Sequence, residues 1–366
     1  MDENDATNDL HEAAGIDDSS SSGGGAPGSA ALELLEGPVG VDVGTSRIVE
    51  FHKDGLKFTS NSQLNAFFSV PFSNITRSML EQNQLQYERR EGELVIMGNG
   101  AGSFANITNG EVGRPVASGL MNPGEENGPM VIEHMIKNMV KRPDNLGERL
   151  CFSMPGPERG KYVNPVFHET LLKSYFVSLG FMAKGINEGF LVVLSELQKD
   201  NYTGIGVSCG AGLCNVCLSY LSVPVLTFSV AKAGDYIDSS TAAAVGEQAN
   251  RVRVIKEESL NLIDEPKNRV ERALQIYYED VIMTLIQNLK EAMEESEHMP
   301  KIEKPMPIVL SGGTAMPDGF RDKFDNILRE SNFPIEISDV RLAEEPLYVS
   351  ARGAYLAACA EEKEED

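Results

Sequence analysis

The sequence predicts a duplicated α/β protein, two lobes with a ligand cleft between them, and three observations predict it. Strand-like and helical segments alternate from Val39 onward. Two similar strand–glycine-turn–strand units recur, at 39–51 and 204–220, about 165 residues apart. The chain, at 366 residues, is long enough for two medium domains with their own cores. Repeated mixtures of strand and helix belong to layered α/β architectures, and paired lobes usually hold their ligand between them.

The elements follow in order. Residues 39–43 and 47–51 are short apolar runs around a Gly-Thr-Ser turn, which reads as a hairpin. The apolar stretch 66–72 (AFFSVPF) reads as a core strand, and 94–97 and 149–154 as further strands. GNGAGS at 98–103 lacks a full G-x-G-x-x-G opening a helix, so a tight turn is expected there rather than a dinucleotide loop. Segments 130–140 and 167–179 carry apolar side chains at helical spacing, and 191–197 is also expected to be helical. His168, on the second of these, is expected to be a packed or surface histidine and not a ligand. The clearest helix is 270–293, with Leu274, Tyr277, Val281, Leu285, Ile286 and Leu289 on one face. Residues 308–310 form a buried strand ended by Ser-Gly-Gly-Thr.

The net charge is −23. Such a field opposes nucleic acid and anionic membranes over most of the surface. Much of it is terminal: residues 1–38 hold nine carboxylates and no Lys or Arg, and 361–366 add five acids against Lys363. The tails account for −13, leaving the folded core at −10. The Gly/Ser-rich first segment is too polar to offset its ordering entropy and is expected to be disordered. No apolar run approaches a membrane span and the N-terminus does not read as a signal peptide, so a soluble, cytoplasmic protein is expected. Five cysteines do not make a disulfide framework. Cys209, Cys214 and Cys217 have the spacing C-x4-C-x2-C of plant-type iron–sulfur proteins, but no nearby fourth ligand exists, and small core residues are expected.

Three glycine turns follow apolar strands: GVDVGTS at 40–46, GVSCGAG at 206–212 and VLSGGT at 309–314. Glycine lets backbone N–H groups close around an anion, and the hydroxyls of Thr45, Ser46 and Thr314 would add donors. One such turn alone is usually only a turn; their order and spacing together say more.

At these residues the sequence resembles the actin-like ATPase superfamily, closest to the bacterial cell-shape actins and other prokaryotic actin homologues. The resemblance runs from about Val39 to Ala358. VGVDVGTS is similar to the first phosphate motif, in which Asp42 would orient metal-bound water. VSCGAGLCN sits at the second, and VLSGGTAMPDGF resembles the adenosine motif. INEG at 186–189 is similar to the connector whose acid, here Glu188, would position or activate the attacking water. VRVIKEESL matches the helix whose Lys256 and Glu257 would contact adenosine; AGDYID and PLYVSARGA resemble two further cell-shape actin segments.

The resemblance implies a two-lobed, ribonuclease H-like ATPase fold of four subdomains with the nucleotide cleft between lobes. Lobe I would span 38–204, completed by 346–360, and lobe II 205–345, with acidic tails at 1–37 and 361–366. It implies ATP or ADP with Mg²⁺ as cofactors, Asp42 (through water) and Glu188 as the metal and catalytic residues, and a cradle of Gly44, Thr45, Ser46, Gly210, Ala211, Gly212, Lys256, Glu257, Gly312, Gly313 and Thr314. One departure stands out: Ser208 occupies the position where the family's second phosphate motif opens with Asp, removing a charge that helps hold the metal. Slow Mg²⁺-dependent hydrolysis is therefore expected. The implied function is a cytoskeletal protein forming nucleotide-regulated, head-to-tail filaments with itself. The alternative is a non-polymerising, nucleotide-gated binding protein. The acidic N-terminal tail is a candidate handle for a protein partner; nucleic acid and direct membrane binding are not expected.

Overall fold

A computed structural model of the chain describes residues 34–362 apart from 109, 162, 163, 298 and 303. Two five-stranded sheets organise it. The first contains β1 (Val39–Val43), β2 (Arg47–Asp54), β3 (Lys57–Leu64), β9 (Arg149–Met154) and β10 (Met182–Asn187), in the order β10-β9-β1-β2-β3. The second contains β11 (Gly204–Cys209), β12 (Cys214–Tyr220), β13 (Val223–Val230), β14 (Met306–Ser311) and β15 (Ile337–Leu342), in the order β13-β12-β11-β14-β15. The two orders are the same plan. An antiparallel three-strand meander lies on one side, and two later strands join its first member in parallel on the other. This is the duplicated actin-like, ribonuclease H-like topology expected from the sequence. The remaining strands, β4 (Phe67–Pro71), β5 (Tyr87–Arg90) and β6 (Glu93–Met97), make a small sheet, and β7 (Val116–Ala117) pairs with β8 (Leu120–Met121).

The helices are α1 (Asn74–Gln82), α2 (Asn99–Thr108), α3 (Gly128–Met139), α4 (Val166–Leu179), α5 (Glu188–Glu196), α6 (Gly234–Val245), α7 (Ala249–Ser259), α8 (Arg269–Glu295), α9 (Phe320–Glu330) and α10 (Val349–Glu362). Each large sheet buries one face against its own helices. Phe152 of β9 and Phe176 of α4 meet at 5.3 Å in the first core, and Tyr278 of α8 and Phe320 of α9 at 6.0 Å in the second. The last helix, α10, lies so close on β1 that a Cβ on Gly40 would fall 2.1 Å from the carbonyl oxygen of Ala351, which is why only glycine fits there.

Three expectations need correction. Residues 98–103 do not end in a tight turn: they lead from β6 into α2, because Ala101 and Ala105 are buried, and that burial outweighs the poor helix propensity of the glycines. On α8 the aromatic in the core is Tyr278, not Tyr277, which is half-buried. Including Val270 and Ala273 in the buried stripe shifts its centre by about one residue. Leu35, inside the segment expected to be tail, is buried and makes a β-bridge with Pro143, its N–H donating to the Arg142 carbonyl at 2.9 Å. An apolar side chain with a pocket within reach is drawn out of an otherwise polar tail. The rest of the expected tails, 1–33 and 363–366, lies outside the described residues.

The halves are stitched together beyond β9. Residues 155–159 run alongside β13, where the Ser229 N–H donates to the Pro157 carbonyl (2.9 Å) and the Arg159 N–H to the Ser229 carbonyl (3.0 Å). Among the described residues no helix is long and apolar enough to cross a membrane.

Candidate functional site

The parallel strands of both sheets end at one cleft of about 420 Å³, within the range that holds a small-molecule ligand. Every site residue expected from the sequence lines it: Asp42, Gly44, Thr45, Ser46, Glu188, Gly210, Ala211, Gly212, Lys256, Glu257, Gly312, Gly313 and Thr314.

Two glycine turns face each other across it, and each is tied back from behind. In the first, the Asn65 side chain donates to the Gly44 carbonyl (2.8 Å) and its backbone N–H to the Ser46 carbonyl (2.8 Å). In the second, the hydroxyl of Thr314 donates to the Gly210 carbonyl (2.7 Å), joined there by the Gly234 N–H at 3.1 Å, while the Asp235 N–H holds the Ala211 carbonyl at 2.8 Å. In a planar trans peptide, C=O and the next N–H point opposite ways. Holding those carbonyls therefore turns the N–H groups of Thr45, Ala211 and Gly212 away from the tethers. The amides of Gly44 and Gly210 are used otherwise: they close their own turns on the Arg47 and Leu213 carbonyls, both at 2.9 Å. The cradle is thus narrower than the two Gly-to-Gly motifs suggest. It is also tight, since a Cβ on Gly212 would sit 2.4 Å from the Thr45 hydroxyl, itself held by the Gly119 N–H at 3.0 Å.

Behind the turns sit two half-buried carboxylates. Asp42, near the end of β1, accepts a hydrogen bond from Ser153 of β9 at 2.5 Å. Ser153 in turn accepts from the Val43 N–H at 3.1 Å, so its hydroxyl is oriented by the strand next door. Glu188 opens α5 directly after β10. Its Oε1 accepts from Ser208 (2.6 Å) and its Oε2 from Asn215 (2.6 Å). Ser208 and Asn215 are directly paired across β11 and β12, so one cross-strand pair grips both oxygens. The Asn215 amide is itself fixed, its oxygen accepting from the Gly156 N–H at 2.9 Å. Burial raises the carboxyl of Asp42 above the ordinary carboxylate range. Burial, then the charge of Asp42, raises that of Glu188 further, against the pull of the Ser208 bond.

On the opposite wall, Lys256 is buried and its ammonium is committed to Asp238 (2.8 Å) and the Gly234 carbonyl (3.3 Å). Glu257 lines the cleft and pairs with Arg253 at 2.8 Å. Arg253 also reaches the Ser46 hydroxyl at 2.9 Å, and Arg114 makes a two-point contact with Asp235 at 2.7 and 2.9 Å. Both arginines join segments attached to different sheets.

The sequence reading missed Asn65, Ser153, Asn215 and Arg253. Asn215 had a signal, the hairpin register that places it opposite Ser208, and Arg253 lies within VRVIKEESL three residues before Lys256; Asn65 and Ser153 come from distant segments and had none. Cys209, Cys214 and Cys217 are buried core residues, as expected, and Cys151 is buried as well. His168 is buried, where desolvation lowers its pKa to about 4.

Solved structures share this architecture. A MamK double-helical filament aligns with a TM-score of 0.66 at 18% identity, over 88% of this chain and 98% of that one. MreB5 of Spiroplasma citri bound to AMPPNP aligns at 0.65 and 12% identity, over 90% and 97%. The ethanolamine utilization protein EutJ from Carboxydothermus hydrogenoformans aligns at 0.52 and 16%, over 87% and 88%. No curated protein matches the sequence. The actin-like fold is therefore shared with proteins at low identity, while a family model matches residues 38–358 directly. On that match, covering nearly all of the described chain, the protein belongs to the volactin family.

Proposed function

We propose that this chain binds ATP or ADP with Mg²⁺ in the cleft, hydrolyses ATP slowly, and assembles head to tail into filaments whose stability follows the nucleotide. The observation that carries the reading is the meeting of two tethered glycine turns, one from each copy of the repeated sheet, in front of the half-buried pair Asp42 and Glu188. The residues fit a magnesium nucleotide. Inward-turned amides suit phosphate oxygens, and two half-buried carboxyls facing the same cleft suit a divalent cation, which binds their ionised forms.

A bound Mg²⁺ would supply positive charge against the polyphosphate. The chain's part is positional. The N–H groups of Thr45, Ala211 and Gly212 donate to phosphate oxygens. Asp42, held by Ser153, would hold the metal through water. Glu188 keeps a second lone pair on each oxygen and accepts or directs a proton of the attacking water. The neutral Ser208 beside it, where the family places a carboxylate, acts to slow turnover. Support for assembly comes from the fold shared with MamK, solved as a double-helical filament, and support for nucleotide from MreB5, solved with AMPPNP. Head-to-tail contacts are heterologous and extend without closing. The acidic N-terminal residues would offer a basic protein partner a charged handle.

A second reading, a non-polymerising protein gated by nucleotide, is favoured by one observation: Ser208 and Asn215 already occupy an oxygen each of Glu188, a grip suited to binding rather than fast chemistry. Sedimentation and negative-stain microscopy of the chain with ATP and Mg²⁺, alongside phosphate release, separate the two. Filaments and slow release are expected; a nucleotide-bound species that stays monomeric at all concentrations supports the second reading, and absence of nucleotide binding rejects both.

A further inference from the structure

Arg253 joins the two sides of the cleft through a partner that is easily exchanged. It projects from α7, attached to the second sheet, and its Nη2 donates to Ser46 Oγ at 2.9 Å, inside the glycine turn of the first sheet. Its Nε donates to Glu257 at 2.8 Å on the same helix. The arginine side chain is only 18% exposed, while that of Glu257 is 55% exposed. The guanidinium is thus held at the cleft wall by a solvent-facing acid and a neutral hydroxyl.

The other cations lining the cleft are placed differently. The ammonium of Lys256 is buried against Asp238, and Arg47 is turned toward Ser62 on β3. A guanidinium carries five N–H donors in a planar fork that matches phosphate oxygens, and its two contacts here draw on Nε and Nη2. It therefore has capacity for further anionic oxygens while keeping its hold on both elements. The Ser46 hydroxyl, which accepts from Arg253, has its own proton to give. An anion seated on the first turn would be shared between turn and arginine.

We infer that Arg253 is a phosphate-binding residue that couples the polyphosphate of a nucleoside di- or triphosphate to closure of the cleft. This rests on the nucleotide reading above and deepens it. The coupling is selective: a nucleoside without phosphates gives Arg253 nothing to bind. Closure therefore follows the phosphates and not the base, and the residue is distinct from the amide cradle because it brings a full positive charge where the cradle offers backbone N–H groups.

The test is titration calorimetry of the full chain with ADP, ATP and adenosine, for wild type, Arg253→Ala, Arg253→Lys and Ser46→Ala, each checked for a wild-type thermal transition without ligand. Expected is a loss of about tenfold or more for ADP and ATP in Arg253→Ala, with adenosine changed by less than about twofold. Arg253→Lys should recover part of the loss, because it keeps the charge but not the fork. Ser46→Ala should weaken ADP by about threefold and combine non-additively with Arg253→Ala. Small-angle scattering should show ADP compacting the wild type but not Arg253→Ala. Unchanged ADP affinity in Arg253→Ala, or equal losses for ADP and adenosine, overturns the inference while wild-type binding leaves the nucleotide reading standing. A wild type that binds none of the three ligands overturns both.

Discussion

Ser208 donates its hydroxyl proton to Oε1 of Glu188 across 2.6 Å, so the serine that replaces an expected aspartate serves as a holder for the catalytic candidate. Its neutrality is a condition of that contact. An aspartate in its place would set a carboxylate against Glu188, with Asp42 already raising the latter's pKa. Ser208→Asp should therefore destabilise the metal-free protein by about 3 kcal/mol and regain most of it with Mg²⁺ and ADP. Denaturant unfolding in chelator and in Mg²⁺–ADP reads both values; equal stability of variant and wild type in chelator would show that the two side chains do not oppose each other.

Magnesium affinity should depend on pH with a definite sign. Asp42 and Glu188 hold their protons more tightly in the fold than in the unfolded chain. Their contribution to the metal-free fold is therefore lost as pH rises through the raised values. A divalent cation binds the ionised forms and must displace those protons. Mg²⁺-dependent ADP affinity should rise from about pH 5 to about pH 8, with proton release on binding. Calorimetry in two buffers of different ionisation enthalpy measures the protons released; none released, with flat affinity, contradicts the assignment.

Arg114 and Asp235 form the second link across the cleft. The aspartate side chain is 40% exposed, so solvent screening limits the pair to roughly 0.5–1 kcal/mol. Asp235→Asn should leave global stability nearly unchanged and speed release of a fluorescent ADP analogue about threefold. A double-mutant cycle with Arg114→Gln, read by stopped flow, should show coupling in the release rate. Additive single effects would mean that the contact does not report closure.

His168 gives an acid limb to the stability curve. Its pKa falls from 6.5 to about 4 on burial. The unfolded chain therefore takes up a proton that the fold refuses, and stability is full above the unfolded pKa and lost as pH falls toward 4. His168→Leu should flatten this limb relative to wild type by up to about 3 kcal/mol. The difference between the two proteins at pH 7.5 and pH 4.5 isolates this residue from the carboxyl pair, whose dependence has the opposite sign.

The buried thiols should be unreactive. Desolvation pushes Cys151 and Cys217 up to about 12, and Cys209 is raised well above its usual value, chiefly by its contact with Cys214. Thiolate is the reactive form, so a disulfide-forming reagent should leave Cys151, Cys209 and Cys217 unmodified in the native chain, along with Cys214, which is wholly buried from the reagent, and reach all four in denaturant. Mass spectrometry of the labelled chain counts them, and a visible absorption band in the purified protein would revive the iron–sulfur alternative.

Local pattern made much of the fold legible. Short apolar runs around Gly-Thr-Ser gave the first hairpin, and the long period of α8 gave its helix. Residues 98–103 misled because glycine-rich sequence looks like a turn until one knows that Ala101 and Ala105 have a core to enter. The turns of the candidate site could be placed from their glycines, whereas their tethers could not. Asn65, just past β3, and Ser153, on β9, are unremarkable polar residues, and their roles depend on their lying beside the first turn and β1 in the fold. Arg253 on a charged helix reads as solvated surface; only the approach of Ser46 from the other sheet sets it apart.

The seating of α10 on β1 sets an order for the chain's birth. Gly40 and Ala351 touch across a separation of roughly three hundred residues, so the earliest strand emerges from the ribosome long before the helix that covers it. Until then Val49 and Phe51, which pack against Ala351 and Tyr355, face water. The second sheet, whose strands and helices are contiguous in sequence, can condense while the first still waits. Nascent chains halted before Val349 should accordingly recruit apolar-binding chaperones to the first half and not the second, and a chain stalled there would expose the α10-facing side of its first sheet as a sticky apolar face.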